Sequence, residues 1–314
     1  MKNSQGKNKR GARTVGVDEN HDGQRLDNFI ASELPGIPRS LVYRLIRTGQ
    51  VRINGGRAKP AVRLCRGDQV RVPPAHVSDS KPGDVPDAAL QSVRKAIVAE
   101  HDDYLVINKE SGMAVHGGSG LAWGLIDALR KCYPEESPEL VHRLDRETSG
   151  CLLVARNLKT LRELRRQFAK HSVDKRYLCL LDGRFREDKW VVNEPLEAIE
   201  RGGERMMAVG EQGKPAQTTF SLLGHYGDYS YVEAMPLTGR THQIRVHAAH
   251  LGLPLAGDSK YASNAQCRRA RKLGLRRLFL HAHALGFEHP PGETQQFGIP
   301  LPDDLRSFLD RLAA

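Results

Sequence analysis

The sequence predicts an α+β protein with two domains: a small one of two helices and a short sheet, then a larger one whose mixed, mainly antiparallel sheet is flanked by helices. Three observations on the 314-residue chain lead to this prediction. Residues 21–75 change from helical to alternating spacing of apolar residues. Residues 73–90 are rich in proline, serine and aspartate, as linkers are. From residue 92 onward, strand-like apolar runs are separated by amphipathic stretches.

Composition places the two domains at 21–75 and 92–314, with a linker at 76–91. Residues 1–20 begin with a basic, polar stretch that predicts a disordered tail. No apolar segment follows that stretch, so it does not resemble a secretory signal, and the longest apolar runs are far shorter than a bilayer span. We therefore expect a cytoplasmic protein without membrane contact.

Positive charge is concentrated near the N-terminus. The formal net charge is +11, and residues 1–75 carry fifteen Lys or Arg against six Asp or Glu. This excess predicts a polyanionic partner such as a nucleic acid, bound through its phosphates whatever its base sequence. The alternative is a basic surface that has no partner.

The cysteines and the glycine-rich segment do not suggest a cofactor or a metal. The five cysteines are scattered without CxxC spacing, which indicates reduced thiols and neither disulfides nor a zinc site. The glycine-rich segment SGMAVHGGSG, residues 111–120, lacks the GK[ST] and GxGxxG patterns of phosphate-binding loops. We expect no cofactor and no metal.

The first domain is predicted as two helices followed by two strands. RLDNFIASEL has apolar residues at helical spacing and predicts a helix that ends near Pro35. Ser40 is the expected N-cap of a second helix, LVYRLIRT, which Gly49 ends. Alternating residues predict strands at 51–54 and 69–72.

The second domain is predicted as a sheet with helices to one side. LKTLRELRRQFAKH is predicted to be a helix with leucines and a phenylalanine on one face, and RSFLDRLAA is predicted to be a closing helix. The predicted strands are YLVINK, CLLVA, YLCLLDG, Thr218–Leu223, Tyr229–Met235 and LFLHA.

HRLDRETSG, residues 142–150, is the densest candidate site. It places Asp145 between Arg143 and Arg146, directly before the CLLVA strand. Opposite charges this close hold a carboxylate ionised at neutral pH, which is the state that a nucleophile or base needs. The alternative is a turn in which Asp145 forms only a structural salt bridge.

TGRTHQIRVHAAHLG, residues 238–252, is the second polar cluster and is predicted to be a turn leading into a helix. Its histidines His242, His247 and His250 raise the possibility of a metal-dependent hydrolase. The spacing is not HExxH and the cluster contains no acid, which favours histidines without a metal. The basic run CRRARKLGLRR, residues 267–277, is either a solvated loop or an RNA contact.

RSLVYRLIRTGQVRING resembles the centre of the S4 RNA-binding domain, which occurs in ribosomal and RNA-modifying proteins. The resemblance extends over about residues 21–75. It implies that a set of polar side chains on the second helix and the following strand contacts phosphates. These are Arg39, Ser40, Arg44, Arg47 and Arg52.

Four further motifs occur in order in the second domain: HRLDRETSG, KRYLCLL, LTGRTHQIRVHAAHLGLPLAGDSKYA and LFLHAHALGFEHP. They resemble the pseudouridine synthases of the RluA superfamily and, with the S4-like domain, the branch that acts on large-subunit ribosomal RNA. The resemblance implies a cofactor-free isomerisation of uridine in RNA. Glu110 departs from the family, which usually has proline there; this changes a determinant of loop rigidity and puts no chemical role in doubt.

The resemblance also implies a catalytic set. Asp145 would add to the sugar C1′ or remove the C2′ proton. Tyr177 would stack on the target base and assist removal of the C5 proton. Arg240 would pair with Asp145 and keep it ionised.

The implied substrate-binding residues are Arg143, Lys175, Gln243 and Leu280. Arg143 would fill the gap that a flipped-out nucleotide leaves in the RNA stack, because Asp145 cannot reach a sugar carbon inside a stacked helix. Leu280 would line the pocket.

The expected partner is large-subunit ribosomal RNA, and the expected state is a monomer. Two alternatives remain at this point. One keeps the chemistry and changes the substrate to transfer RNA, and the other is a non-catalytic RNA-binding protein of ribosome assembly.

Overall fold

The structure is a computed structural model that describes residues 12–34, 37, 39–74, 85–117, 121–201 and 203–313, without the side chains of Asn20, Arg39, Ser40 and Arg201. The chain divides into two compact units, Met1–Asp84 and Val85–Ala314. None of the helices within the described ranges is both long and apolar enough to cross a membrane.

The first unit contains a three-stranded antiparallel sheet and two helices. Its elements are β1 Arg13–Gly16, a 3-10 turn Glu19–His21, α1 Leu26–Glu33, α2 Arg39–Arg47, β2 Arg52–Ile53 and β3 Gln69–Val72. The strand order is β1-β3-β2. The apolar faces of α1 and α2 pack on the sheet through side chains such as Phe29, Ile46 and Val70, all of them buried.

Two details of this unit differ from the sequence prediction. Residues 13–16 were assigned to a disordered tail, but they pair with β3, and Val15 packs against the core. The tail residues 1–11 lie outside the described part. Ser40 was expected to cap the second helix, but α2 begins at Arg39 and Ser40 lies inside it. Sequence spacing fixes a helix start only to within a residue or two.

The second unit contains twelve strands within the described residues, and ten of them form one sheet. Its strands are β4 Ile97–Glu100, β5 Tyr104–Lys109, β6 Glu139–Leu140, β7 Ser149–Ala155, β8 Asp174–Asp182, β9 Lys189–Asn193, β10 Leu196–Arg201, β11 Glu204–Val209, β12 Gln217–Tyr226, β13 Tyr229–Pro236, β14 Leu280–Glu288 and β15 Thr294–Gly298. Its helices are α3 Asp87–Lys95, α4 Leu125–Cys132, α5 Leu158–Ala169, α6 Gln243–His250, α7 Asn264–Lys272 and α8 Asp303–Ala313.

The main sheet has the order β4-β5-β7-β14-β8-β13-β12-β9, with β15 beside β14 and β6 beside β7. β10 and β11 form a separate hairpin. Among the strands of the described residues, only the pairing of β7 with β14 is parallel, so the prediction of a mixed, mainly antiparallel sheet is confirmed.

The parallel join depends on Gly150. Its φ is +109°, and a Cβ at this position would lie 2.2 Å from the carbonyl oxygen of Ala282 on β14. Only glycine allows the two backbones to approach this closely. The glycine that ends HRLDRETSG therefore brings the Asp145 loop next to β14.

Helices cover both faces of the sheet, so the prediction that they lie to one side was wrong. α3, α4 and α6 pack on the face that carries Tyr177 and Leu280. α5, α7 and α8 pack on the opposite face, against residues such as Leu153 and Phe279. The central strands are buried on both sides for this reason, and β7 is buried along its whole length.

The second unit also begins earlier than predicted. α3 starts at Asp87, inside the predicted linker, and Val93 on this helix is fully buried against α4. Residues 75–84 of the predicted linker lie outside the described part. The basic run 267–277 falls mostly on α7 and is therefore helical at its start.

Candidate active site

A pocket of about 550 Å³ opens where the Asp145 loop, β8, β14 and the turn before α6 meet. The parallel join of β7 to β14 and the pairing of β14 with β8 bring these elements to one edge. The lining includes seven of the residues that the sequence predicts for the catalytic and substrate-binding sets: Arg143, Asp145, Lys175, Tyr177, Arg240, Gln243 and Leu280.

Asp145 lies in the pocket wall, with 18% of its side chain exposed. Its Oδ2 atom is 3.8 Å from Nη1 of Arg245 and 3.9 Å from Nε2 of His242. Both of these contacts are to the same carboxylate oxygen.

Arg245 is held by a buried ion pair. Its Nε and Nη2 donate to the two oxygens of Asp258, each at 2.7 Å, and both side chains are buried. The Arg245 guanidinium also lies 5.1 Å from the ring centroid of Tyr261. Burial acts to lower the pKa of Arg245, but the hydrogen bonds and charge of Asp258 outweigh it and raise that pKa. A bidentate pair of this kind fixes the direction of the guanidinium.

Arg245 therefore takes the place that the sequence analysis gave to Arg240. The Nε of Arg240 donates to the carbonyl of Pro215 at 3.0 Å, although the residue does line the pocket. The adjacent arginines were also expected to flank Asp145. Arg146 instead donates to the carbonyl of Gly112 at 2.9 Å, and Arg143 is exposed at the pocket.

Tyr177 and Leu280 lie on neighbouring strands of the pocket floor. Tyr177 pairs with Ala282 of β14, and Leu280 pairs with Cys179 of β8, so both side chains lie on the same face. Burial, and then the negative charge of Asp145, raises the pKa of Tyr177 well above its usual range. The side chain is therefore a neutral phenol near pH 7.

Lys175 and Gln243 hold the loop that carries Arg240. The Nζ of Lys175 donates to the carbonyls of Leu237 and Thr238, and burial lowers its pKa to about 8. The amide of Gln243 accepts from Thr238 and from the Arg240 backbone, and it donates to Gln217 and Thr218. Both oxygen lone pairs and both N–H groups of Gln243 are thus used. Gln243 lines the pocket, and its predicted substrate contact stays a prediction.

Lys109 is a site residue that the sequence analysis missed. It is fully buried, and its Nζ donates to the carbonyls of Glu110, Met113 and Arg146 at 2.9–3.1 Å. Burial lowers its pKa to about 7, against the opposing charge of Asp145. The ammonium joins the loop after β5 to the Asp145 loop. An ionisable residue at the end of the apolar run YLVINK is the sequence signal that could have indicated it.

The histidines of TGRTHQIRVHAAHLG have separate environments. Both ring nitrogens of His247 are bonded, to Thr218 Oγ1 and to the carbonyl of Glu194, so this side chain has no free ligand atom. His242 faces Asp145 and Tyr261. Among the described residues, the cluster with metal-ligand spacing is a different one, His101, Asp103 and His289, and it does not line the pocket.

The predicted phosphate contacts of the first unit fall on α2 and β2. Arg44 and Arg47 are exposed in the last turns of α2. Arg52 is exposed as well, but its guanidinium donates to the carbonyls of Gly49 and Gly55. The side chains of Arg39 and Ser40 lie outside the described part, so those two predictions stay predictions.

Family models match both units. The model for RNA pseudouridylate synthase matches residues 103–250, and the model for the S4 domain matches residues 24–70. The human RNA Pseudouridylate Synthase Domain Containing 4 superposes with a TM-score of 0.60 at 25% identity, over 72% of this chain and 96% of that one. The human Domain Containing 1 protein gives a TM-score of 0.57 at 32% identity, over 68% and 86%.

The chain belongs to the RNA pseudouridylate synthase family and is an RNA pseudouridine synthase with an S4 domain. Several similar relatives carry the name Ribosomal large subunit pseudouridine synthase C. The Yersinia pestis protein is 46% identical over 94% of this chain and 93% of its own length. The Escherichia coli K12 protein is 43% identical over 95% and 96%. The family resemblance inferred from the motifs is thus confirmed.

Proposed function

We propose that this enzyme isomerises uridine to pseudouridine in large-subunit ribosomal RNA, with Asp145 acting on the sugar of a flipped-out nucleotide. The RNA class is supported by relatives of 43–46% identity that align with nearly the whole chain and carry a ribosomal large-subunit name. The S4 match supports an RNA-binding role for the first unit.

One observation carries the assignment of the chemistry. Asp145 stands in the wall of a pocket of about 550 Å³, which is within the size range of small-molecule sites, and Tyr177 and Leu280 form its floor. An aromatic ring and an aliphatic side chain suit the faces of a pyrimidine, and the carboxylate suits the adjoining sugar. A nucleotide within an RNA stack cannot enter such a pocket, so the uridine has to be extruded.

The reaction needs no redox partner. The bond between N1 and C1′ breaks, a bond between C5 and C1′ forms, the C5 proton leaves to solvent and N1 gains a proton. The carboxylate of Asp145 either adds to C1′ or removes the C2′ proton while the base turns. Arg245 lies 3.8 Å from that carboxylate and opposes its rotation out of the pocket.

Tyr177 contributes as a neutral phenol. Its raised pKa makes a phenolate base unfavourable at neutral pH. Stacking on the base and a hydrogen bond from the hydroxyl are the contributions that remain available to it.

The test is release of tritium from RNA labelled at uridine C5. We expect release from large-subunit ribosomal RNA by the wild type and none by Asp145→Asn, which should still bind that RNA. Absence of release by the wild type on every RNA would overturn the proposed function. Release from transfer RNA alone would show that the substrate is transfer RNA and not ribosomal RNA. Normal release by Asp145→Asn would show that Asp145 is not the catalytic carboxylate.

A further inference from the structure

His242 occupies an unfavourable backbone conformation beside the catalytic carboxylate. Its φ is +55° and its ψ is 20°, in the left-handed region, and α6 begins at the next residue. Only a few per cent of non-glycine residues adopt such a conformation, and it persists where the surrounding structure enforces it. The enforced backbone places the ring between two partners, Asp145 on one side and Tyr261 on the other.

The hydrogen bonds of Tyr261 determine which ring nitrogen of His242 carries the proton. The backbone N–H of Met207 donates to the Tyr261 hydroxyl at 3.2 Å, and that hydroxyl lies 2.7 Å from Nδ1 of His242. A phenol has one hydrogen to donate. Within the described residues, Nδ1 is the acceptor that the structure offers it. The hydroxyl therefore donates to Nδ1, and Nε2 carries the N–H.

The contact of the His242 ring with Asp145 indicates the same tautomer. Nε2 lies 3.9 Å from Oδ2 of Asp145, and a carboxylate oxygen is a hydrogen-bond acceptor only. An N–H at Nε2 is attracted to it, whereas a bare nitrogen would be repelled. The distance is longer than a hydrogen bond, and such contacts often tighten when substrate binds.

Burial favours the neutral form of His242. Burial lowers the pKa of His242, and the positive charges of Arg245 and Lys260 act in the same direction. The negative charges of Asp145 and Asp258 oppose this change without reversing it. The ring is thus a neutral donor near pH 7, so Arg245 provides the full positive charge next to Asp145.

We infer that His242 is a positioning residue for Asp145, held by Tyr261 as the tautomer with its proton on Nε2. In this arrangement Arg245 and His242 both draw Oδ2 toward the protein, and Oδ1 points toward the sugar. The inference deepens the proposed function and rests on it for the role of Asp145. Tyr261 joins this contact to the β10–β11 hairpin through Met207.

The first test reads the tautomer and needs no activity. The full-length protein with ¹⁵N-labelled imidazoles is studied by NMR at pH 7.5, and His242→Gln identifies the signals of His242. We expect a protonated Nε2 and a bare Nδ1, and a mixture of tautomers in Tyr261→Phe. A proton on Nδ1, on both nitrogens, or an unchanged spectrum in Tyr261→Phe would overturn the inference.

The second test compares the variants His242→Gln and His242→Asn, whose side chains both end in an amide but differ in length. The amide nitrogen of His242→Gln reaches about as far as Nε2, whereas that of His242→Asn reaches only the Nδ1 position. Asparagine tolerates the left-handed backbone better than glutamine. A purely structural role therefore predicts that the Asn variant is the better enzyme, and our inference predicts the opposite.

We expect His242→Gln to keep kcat within about three-fold of the wild type. We expect His242→Asn to lose about 10- to 100-fold in kcat, with KM for RNA nearly unchanged, because the variant cannot form the hydrogen bond to the charged carboxylate that we expect when substrate binds. Tyr226→Phe, which removes a hydroxyl outside the pocket lining, should match the wild type. Equal kcat for the Gln and Asn variants would overturn the inference. A wild type without tritium release would overturn the proposed function, and the NMR result would still decide the tautomer.

Discussion

The arginines that the sequence predicts to contact RNA in the first unit differ in burial from the charged residues around the pocket of the second unit. In the first unit, Arg44 and Arg47 are exposed on α2, above a core of apolar side chains. In the second unit, Lys109, Arg245 and Asp258 are buried behind the pocket. Exposed cations can exchange counterions for phosphates, whereas buried charges need fixed partners to offset the loss of water. From this difference we expect the exposed arginines of the first unit to serve RNA binding, while the buried charges of the second unit set the geometry of the site.

The largest expected effect comes from breaking the buried ion pair. Asp258→Asn leaves the guanidinium of Arg245 without a full counter-charge in a buried position. Loss of one partner of a buried pair typically costs about 3–5 kcal/mol. We expect a loss of that size in the free energy of unfolding, measured by urea denaturation, together with a large loss of tritium release because Arg245 no longer holds Asp145.

A matched control for this variant is Glu204→Gln. Glu204 pairs with Lys260 at 3.1 Å, but the two side chains are 69% and 37% exposed. Exposed pairs contribute about 0–1 kcal/mol, so this variant should remain close to the wild type in stability and activity. Equal losses in the two variants would break the contrast between buried and exposed charge.

A second large effect is expected at Gly150. In Gly150→Ala the added Cβ meets the Ala282 carbonyl oxygen, and φ of +109° is unfavourable for alanine. Overpacking and backbone strain together predict a loss of about 2–5 kcal/mol. Gly55→Ala in the first unit is the control, since φ is +80° there but nothing lies within 4 Å of the Cβ. A smaller loss at Gly150 than at Gly55 would contradict the role of the close approach.

Much of the fold could be predicted from local pattern. The run YLVINK gives β5 with the predicted ends, and QVRV gives β3. β1 could not be predicted, because its stability comes from pairing with residues more than fifty positions away. α3 was missed because prolines and aspartates precede it, although Val93 on it is fully buried. Helix placement on both faces likewise follows from long-range packing.

The candidate site could be predicted in its residue types and only partly in its geometry. Motif resemblance brought Asp145, Tyr177 and Leu280 to one pocket, as the structure has them. It chose Arg240 over Arg245 as the partner of Asp145. The two arginines are five residues apart across a turn, and the sequence alone does not say which faces inward. The carboxylate that holds Arg245 in place is that of Asp258, thirteen positions further along the chain.

An intermediate effect with a pH signature is expected at Lys109. The folded state lowers its pKa from 10.5 to about 7, so between these values the unfolded chain binds more protons than the folded one. The free energy of unfolding attributable to this group therefore rises with pH, by about 1.4 kcal/mol per unit. Lys109→Met removes this pH-dependent contribution to the free energy of unfolding. It also leaves three carbonyl groups without their hydrogen-bond donor.

Urea denaturation of the wild type and Lys109→Met at pH 7 and pH 9 measures this effect. We expect the stability advantage of the wild type to be larger at pH 9 by about 2–3 kcal/mol. Other titrating groups, such as Lys175, occur in both proteins and cancel in the difference. An advantage that is constant or smaller at pH 9 would contradict a lowered pKa at Lys109.

The smallest effect is expected from the exposed arginines of the first unit, and it concerns binding alone. Each phosphate contact adds about 0.7–0.9 to the slope of log K against log salt. The double variant Arg44→Gln/Arg47→Gln should therefore lower the slope for ribosomal RNA by about 1–2, with stability and kcat at saturating RNA unchanged. The matched control is Arg268→Gln/Arg271→Gln, which removes the same charge from exposed positions of α7. If the α7 variant lowers the slope as much, the phosphate contacts extend over the second unit, and the separation of binding from chemistry between the units fails.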